Sequence, residues 1–123
     1  MVVKPKLHHV TIKTSQLQEM VDWSSAEVGL TVKFQDAHHA RMSNDAANHR
    51  VAFLSVPGLG EDPRQTSRTG MHHTGMHHSA FEYDSFADLI ASYRRVKELG
   101  MVPAFSLDHG VAISIYDQDP DLI

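Results

Sequence analysis

From Leu7 to Thr14 the chain runs Leu-His-His-Val-Thr-Ile-Lys-Thr, a β-branched stretch that predicts a strand. Ser15 offers an N-cap, and Leu17, Met20, Val21 and Val28 recur near helical spacing, which predicts a helix over 16–28. Gly29 stops that helix. A second strand is expected at 31–35, a weaker third at 37–42 and a fourth at 49–56, with turn chemistry at Ser43-Asn44-Asp45. Residues 59–74 carry Gly, Pro, Arg and Ser without a period and read as a loop.

The pattern then begins again. Residues 76–83 read as a strand, and Ser85 caps a helix running to about Leu99, with Phe86, Leu89, Ile90, Tyr93 and Val96 on its apolar face. Arg94, Arg95 and Lys97 are its wet face. Gly100 ends it, and two strands are expected at 102–106 and 110–116. Setting Leu7-His8-His9 on Met76-His77-His78 brings Ser15 near Ser85 and Gly29 opposite Gly100. The expected fold is therefore α+β, one domain over 1–123 made of two βαβββ modules, about 6–57 and 75–123, joined by a linker at 58–74. The modules should form a curled mixed sheet around a metal or ligand cavity. The second copy stops after its third strand, so its last strand is missing. Thr69-Gly-Met-His-His and Thr74-Gly-Met-His-His form a tandem copy of five residues that lengthens the linker.

A chain of 123 residues suffices for one core and is too short for two. A net charge of −4 leaves no basic footprint for nucleic acid and no polybasic membrane patch. No apolar run approaches the roughly 20 residues of a spanning helix, and the first six residues lack a signal peptide's apolar core. Without cysteine there are neither disulfides nor thiolate metal sites, and the expected compartment is the cytoplasm. The sheet edge left by the missing strand predicts a homo-oligomer.

Histidine changes the picture. There are ten, eight of them in four adjacent pairs: 8–9, 38–39, 72–73 and 77–78. Neighbours on a strand point to opposite faces, so one of each pair can enter a shared cavity. His9 shares a face with Thr11, and His78 with Ala80. Two imidazoles converging from equivalent strands suit a divalent first-row metal, completed by a third ligand that is usually a carboxylate. His8 and His77 would then look away. Hydrogen-bonded histidines on a sheet face are the plainer alternative. His38 and His39 lie near a turn and read as solvated. Trp23 and Phe86 read as core.

Residues 7–12 (Leu-His-His-Val-Thr-Ile), 22–30 (Asp-Trp-Ser-Ser-Ala-Glu-Val-Gly-Leu), 75–83 (Gly-Met-His-His-Ser-Ala-Phe-Glu-Tyr) and 115–121 (Ile-Tyr-Asp-Gln-Asp-Pro-Asp) resemble the vicinal oxygen chelate superfamily. Within it, the chain is most similar to extradiol ring-cleaving dioxygenases. Residues 49–57 (His-Arg-Val-Ala-Phe-Leu-Ser-Val-Pro) resemble the strand bearing their active-site histidine, and Tyr116 matches their active-site tyrosine. The resemblance implies His9 and His78 as iron ligands, His49 as acid–base catalyst and Tyr116 as a hydrogen-bond partner of the substrate. His109 is a weaker candidate for a supporting role. It also implies Fe(II), or Mn(II) or another divalent metal, with O2 as co-substrate and a small aromatic diol as substrate.

Two departures follow. The family's Asp-Pro-Asp continues with Gly-Asn and then a strand bearing a glutamate ligand, whereas Leu122 and Ile123 stand here and the sequence ends. Asp117, Asp119 and Asp121 are the nearby carboxylates and are poorly placed on a turn. Ser24 also stands where the family often has an aromatic. Two rival functions use the same fold: a metal-free protein that binds a small aromatic ligand, and a glyoxalase- or epimerase-type metalloenzyme, which needs glutamates at the metal.

Overall fold

The computed structural model describes residues 3–56, 78–103, 105–108, 113–117 and 120. The elements run β1 (Val10–Thr14), α1 (Leu17–Val28), β2 (Thr31–Gln35), β3 (His39–Ser43), β4 (Val51–Ser55), α2 (Phe86–Glu98), β5 (Phe105–Asp108) and β6 (Ile113–Tyr116). The class is mixed α+β, a curled open sheet of four strands with two helices and a two-stranded hairpin. The sheet order is β1-β4-β3-β2. β1 lies parallel to β4, with Val10 opposite Val51 and Ile12 opposite Phe53, while β2/β3 and β3/β4 are antiparallel.

Alternation divides the sheet into two faces. Val10, Ile12, Ala40, Met42, Val51 and Phe53 pack against Leu17, Met20, Val21 and Val28 of α1 and against Leu30. Phe53, Met20 and Met42 are almost fully covered, at 2%, 1% and 0% exposure, and mark the centre of the core. The other face carries Thr11, Lys13, Phe34, His39, Arg41, Ala52 and Leu54. Phe34 belongs there only because of a bulge. Val32 pairs with Met42, but the register then slips and Phe34 pairs with Arg41. In unbroken register Phe34 would stand beside Ala40 and face α1. One extra residue turns it to the open side.

α1 buries Met20, Val21, Ser24 and Glu27, the i, i+1, i+4, i+7 face its sequence predicts, apart from one acid. Ser15 is not its cap. The cap position is Gln16, whose own N–H donates to Thr14 Oγ1 at 2.9 Å, so the last threonine of β1 fixes the residue that leads into the helix. At the other end Gly29 sits at φ 73°, and its N–H and that of Leu30 donate to the carbonyls of Ser25 and Ser24. That closure needs the left-handed backbone that glycine adopts without strain. α2 is capped as expected: Ser85 Oγ accepts from the Asp88 N–H at 3.1 Å. Its apolar face is only partly used, with Val96 buried and Phe86 60% exposed. Arg95 lies on the exposed face, as expected, and is also tied to α1. Its guanidinium donates to the Ala26 and Glu27 carbonyls, which α1 leaves unpaired at its last turn.

The strand expected over 76–83 does not form in its described part, 78–83, where every residue is exposed. The reason lies in pairing. β1 gains its ladder from β4, and among the described residues no strand pairs with 78–83. A strand without a partner leaves its backbone groups to water. β5 and β6 do pair, antiparallel, with Phe105 opposite Tyr116. Gln16 Nε2 donates to the Pro120 carbonyl at 2.9 Å, tying the chain after β6 to the start of α1. Residues 57–77, including the tandem copy and His77, and His109 lie outside the described residues.

Candidate metal centre

His8 and His9 immediately precede β1, and His49 stands two residues before β4. Parallel pairing of Val10 with Val51 puts the entrances of both strands side by side, so residues some forty apart in sequence meet. The ring centroids of His9 and His49 lie 4.2 Å apart, those of His8 and His49 5.6 Å, and those of His8 and His9 5.2 Å. Nδ1 of His8 and Nδ1 of His9 share a proton at 2.9 Å. One ligand atom from each residue falls within 4.8 Å of the others. Three nitrogens each about 2.1 Å from one metal lie roughly 3.0–3.6 Å from one another. The three rings can therefore hold a divalent cation after drawing in by about 1 Å.

His8 was expected to face away from His9. The strand begins only at Val10, so strict alternation does not govern residues 8 and 9, and both rings reach the same place. His78 is exposed and is not a member of this three-residue group. Tyr116 lies on β6, and its side chain is outside the described set. Asp117, weighed as a stand-in carboxylate, is engaged elsewhere: it hydrogen-bonds the Glu27 carboxyl.

An arginine the sequence reading passed over holds the strand entrances together. Arg50 Nε meets Asp45 Oδ2 at 2.9 Å, and Nη1 donates to the His8 carbonyl at 3.0 Å. Its backbone N–H donates to Met42, and its carbonyl accepts from Val10. Asp45 is itself fixed by Ser43 Oγ and by the Ala47 N–H, each at 2.9 Å. These donors, the Ala47 amide first, hold its carboxyl below the usual range, so it stays anionic opposite Arg50. The signal was legible as Ser-Asn-Asp turn chemistry followed by His-Arg, but the partner of Arg50 lies across the sheet.

His49 is half-buried, and its Nδ1 bonds the Asn48 side-chain oxygen. An amide oxygen only accepts, so Nδ1 carries the proton and Nε2 keeps the lone pair. Desolvation, then the neighbouring His9 and His8, then Arg41, all push the His49 pKa down. A neutral ring with a free Nε2 can bind a metal or accept a proton. His39, expected to be solvated, is half-buried on β3, 3.1 Å from Asp36 and 5.0 Å from the Phe34 ring.

A fold of this topology with imidazoles at the paired strand entrances defines a class. Residues 6–122 match the model of the Glyoxalase/Bleomycin resistance protein/Dioxygenase superfamily, and the chain belongs to that superfamily. It is 36% identical over 121 residues to biphenyl-2,3-diol 1,2-dioxygenase 2 of Rhodococcus globerulus, covering 98% of this chain and 60% of that protein. It is 34% identical to biphenyl-2,3-diol 1,2-dioxygenase 3 of the same organism, over 98% of this chain and 61% of that protein. The chain thus spans about 60% of the length of the curated relatives it matches. Among solved structures, a glyoxylase/bleomycin resistance protein/dioxygenase domain from Frankia sp. EAN1pec superposes with a TM-score of 0.72 at 15% identity. That match covers 98% of this chain and 94% of the other, a likeness of fold. No helix among the described residues is long and apolar enough to cross a membrane.

Proposed function

We propose that this chain forms the metal-holding part of an extradiol-type ring-cleaving dioxygenase that acts on a catechol-like aromatic diol with Fe(II) and O2. The observation that carries the reading is the pairing of β1 with β4, which sets His9 and His49 with ring centroids 4.2 Å apart and His8 beside them. It stands in a superfamily chain whose relatives are named as dioxygenases of an aromatic diol.

On this reading His9 and His78 hold the iron, or Mn(II) in its place, and His8 offers a further imidazole beside them. A bound ferrous ion would lower the pKa of the diol and connect its electrons to dioxygen. His49 stands next to His9 with Nε2 unprotonated, placed to take a proton from a diol hydroxyl and return it later. Tyr116 is assigned to orient the diol through a hydrogen bond. The protein works in the cytoplasm as a homo-oligomer. β2, one of the two edge strands of the four-stranded sheet and exposed at every residue, offers an edge for association.

Anaerobic loading with Fe(II), followed by oxygen uptake with biphenyl-2,3-diol and simple catechols, tests the reading. His9→Ala should lower iron affinity at least tenfold. His49→Gln should keep its iron and lose roughly 100-fold in turnover. Loss of iron from His49→Gln would make His49 a ligand instead. Iron-loaded protein that consumes no oxygen with any diol would refute the enzyme. One rival is supported by a specific observation: among the described residues the imidazole group includes no carboxylate, and Asp117 hydrogen-bonds Glu27. A metal-free binding protein would take up the diol equally well with and without iron.

A further inference from the structure

The open face of the sheet is cationic and partly apolar. Its strand residues are Thr11 and Lys13 on β1, Ala52 and Leu54 on β4, His39 and Arg41 on β3, and Phe34 on β2. None of these is acidic. Ala52 is 8% exposed, while Leu54 and Phe34 are 41% and 46% exposed, so apolar surface lies open next to the positive charges. The pairing sets Thr11, Ala52, Arg41 and Phe34 in one row across the sheet. His9 precedes Thr11 by two residues, just outside β1 at the strand entrances.

Arg41 stands apart from Arg50 and Arg95. Arg50 is tied to Asp45 and His8, and Arg95 to the end of α1. Among the described residues, the one side-chain partner recorded for Arg41 is the Phe34 ring, with the guanidinium carbon 5.5 Å from its centroid. That ring is there because the β2 bulge re-aims it. A cation over an aromatic face is held in direction while its N–H donors stay available. Its positive charge also reaches His49, where it helps to keep the imidazole neutral. By strand spacing, the backbone positions of Arg41 and His9 are about 12 Å apart, roughly 10 Å across the sheet and 7 Å along it. An arginine side chain and one benzene ring fill that distance.

We propose that Arg41 is a specificity-determining residue of this face, and that the diol selected there carries a carboxylate substituent, received by the Arg41 guanidinium while the diol faces the histidines. The inference rests on the diol chemistry proposed above and adds the substrate's charge. The guanidinium fork matches a carboxylate in a way no neutral substituent reproduces. Ala52 and Leu54 supply the surface on which the ring lies, and Lys13 adds positive charge at the same face.

The test uses the full chain, with 3,4-dihydroxybenzoate and 2,3-dihydroxybenzoate as acidic probes and 4-methylcatechol as the neutral one. Binding to the metal-free protein is measured by NMR titration, and kcat/KM is measured on iron-loaded protein. The better acid should bind about tenfold more tightly than 4-methylcatechol at low salt, with the margin shrinking as salt rises. Arg41→Gln should abolish the margin in binding, Arg41→Lys should restore part of it, and Arg94→Gln should not alter it. Arg41 is exposed, so both variants are expected to fold, which thermal unfolding checks. Equal binding of acid and neutral probe, or a margin that survives Arg41→Gln, overturns the inference. Cleavage of 4-methylcatechol with no preference for either acid leaves the dioxygenase standing and removes the role of Arg41. An Arg41-dependent margin in binding, with no oxygen consumed on either diol, keeps the anion site and removes the dioxygenase.

Discussion

Glu27→Gln should change how stability depends on pH. Glu27 lies on the buried face of α1 at 9% exposure, and its Oε2 has no hydrogen-bond partner among the described residues. Its pKa is pushed from 4.5 up to about 8, first by burial, then by the hydrogen bond and the negative charge of Asp117, with Arg95 opposing. The folded protein therefore keeps a proton that the unfolded chain releases between pH 4.5 and about 8. Stability contributed by this group is fully present below pH 4.5, falls as pH rises through that window, and is constant above it. At about 1.4 kcal/mol per pH unit the window caps the effect near 5 kcal/mol. Water entry and separation of the two carboxyls relieve much of that, and about 2 kcal/mol is the expected loss. Glutamine fills the same space without ionising. Urea unfolding followed by the fluorescence of Trp23 on α1, at pH 5, 7 and 8.5, reads the difference between the two proteins. Other groups titrate in both and cancel. Relative to the parent, Glu27→Gln should gain about 2 kcal/mol between pH 5 and 8.5, roughly a 1 M shift in urea midpoint. A difference that is flat across pH, or one of opposite sign, would refute the protonated carboxyl pair.

The core and the site yield two more expectations. Phe53→Ala empties the centre of the sheet–helix core, at 2% exposure, and should cost about 3–5 kcal/mol in urea unfolding. A cost under about 1 kcal/mol would mean that α1 does not pack there. Arg50→Gln removes the links to Asp45 and to the His8 carbonyl and should weaken Co(II) or Fe(II) binding about 10- to 100-fold with little change in secondary structure, measured by metal titration and circular dichroism. Unchanged metal affinity would show that the histidines hold their positions without it.

Much of the first half was legible in the chain. β-branched density, helical spacing and Gly29 marked β1, α1 and β2 because these depend on local backbone preference and on one apolar face. The His-His pair at 8–9 and His49 stand at the strand entrances that the pairing of β1 with β4 brings together. The family was readable from short motifs, since they combine strand, turn and titratable residue types in one order.

What remained depended on partners distant in sequence. The stretch 76–83 has a strand's composition, yet its described part forms none, because a strand exists only with a neighbour to bond. His8 joins His9 and His49 because the parallel pairing of β1 and β4 sets their entrances together. Arg95 is exposed, as its helical position predicts, but that the end of α1 supplies carbonyls for it could not be read from the chain. Phe34 faces the open side through a one-residue slip that no periodicity announces. Glu27 holds a helix position that the pattern reserves for apolar residues, and only packing brings Asp117 beside it. Local propensity and periodicity are written along the chain. Which charges meet, and which face a side chain joins, is settled by strand register and by contacts between residues far apart in sequence.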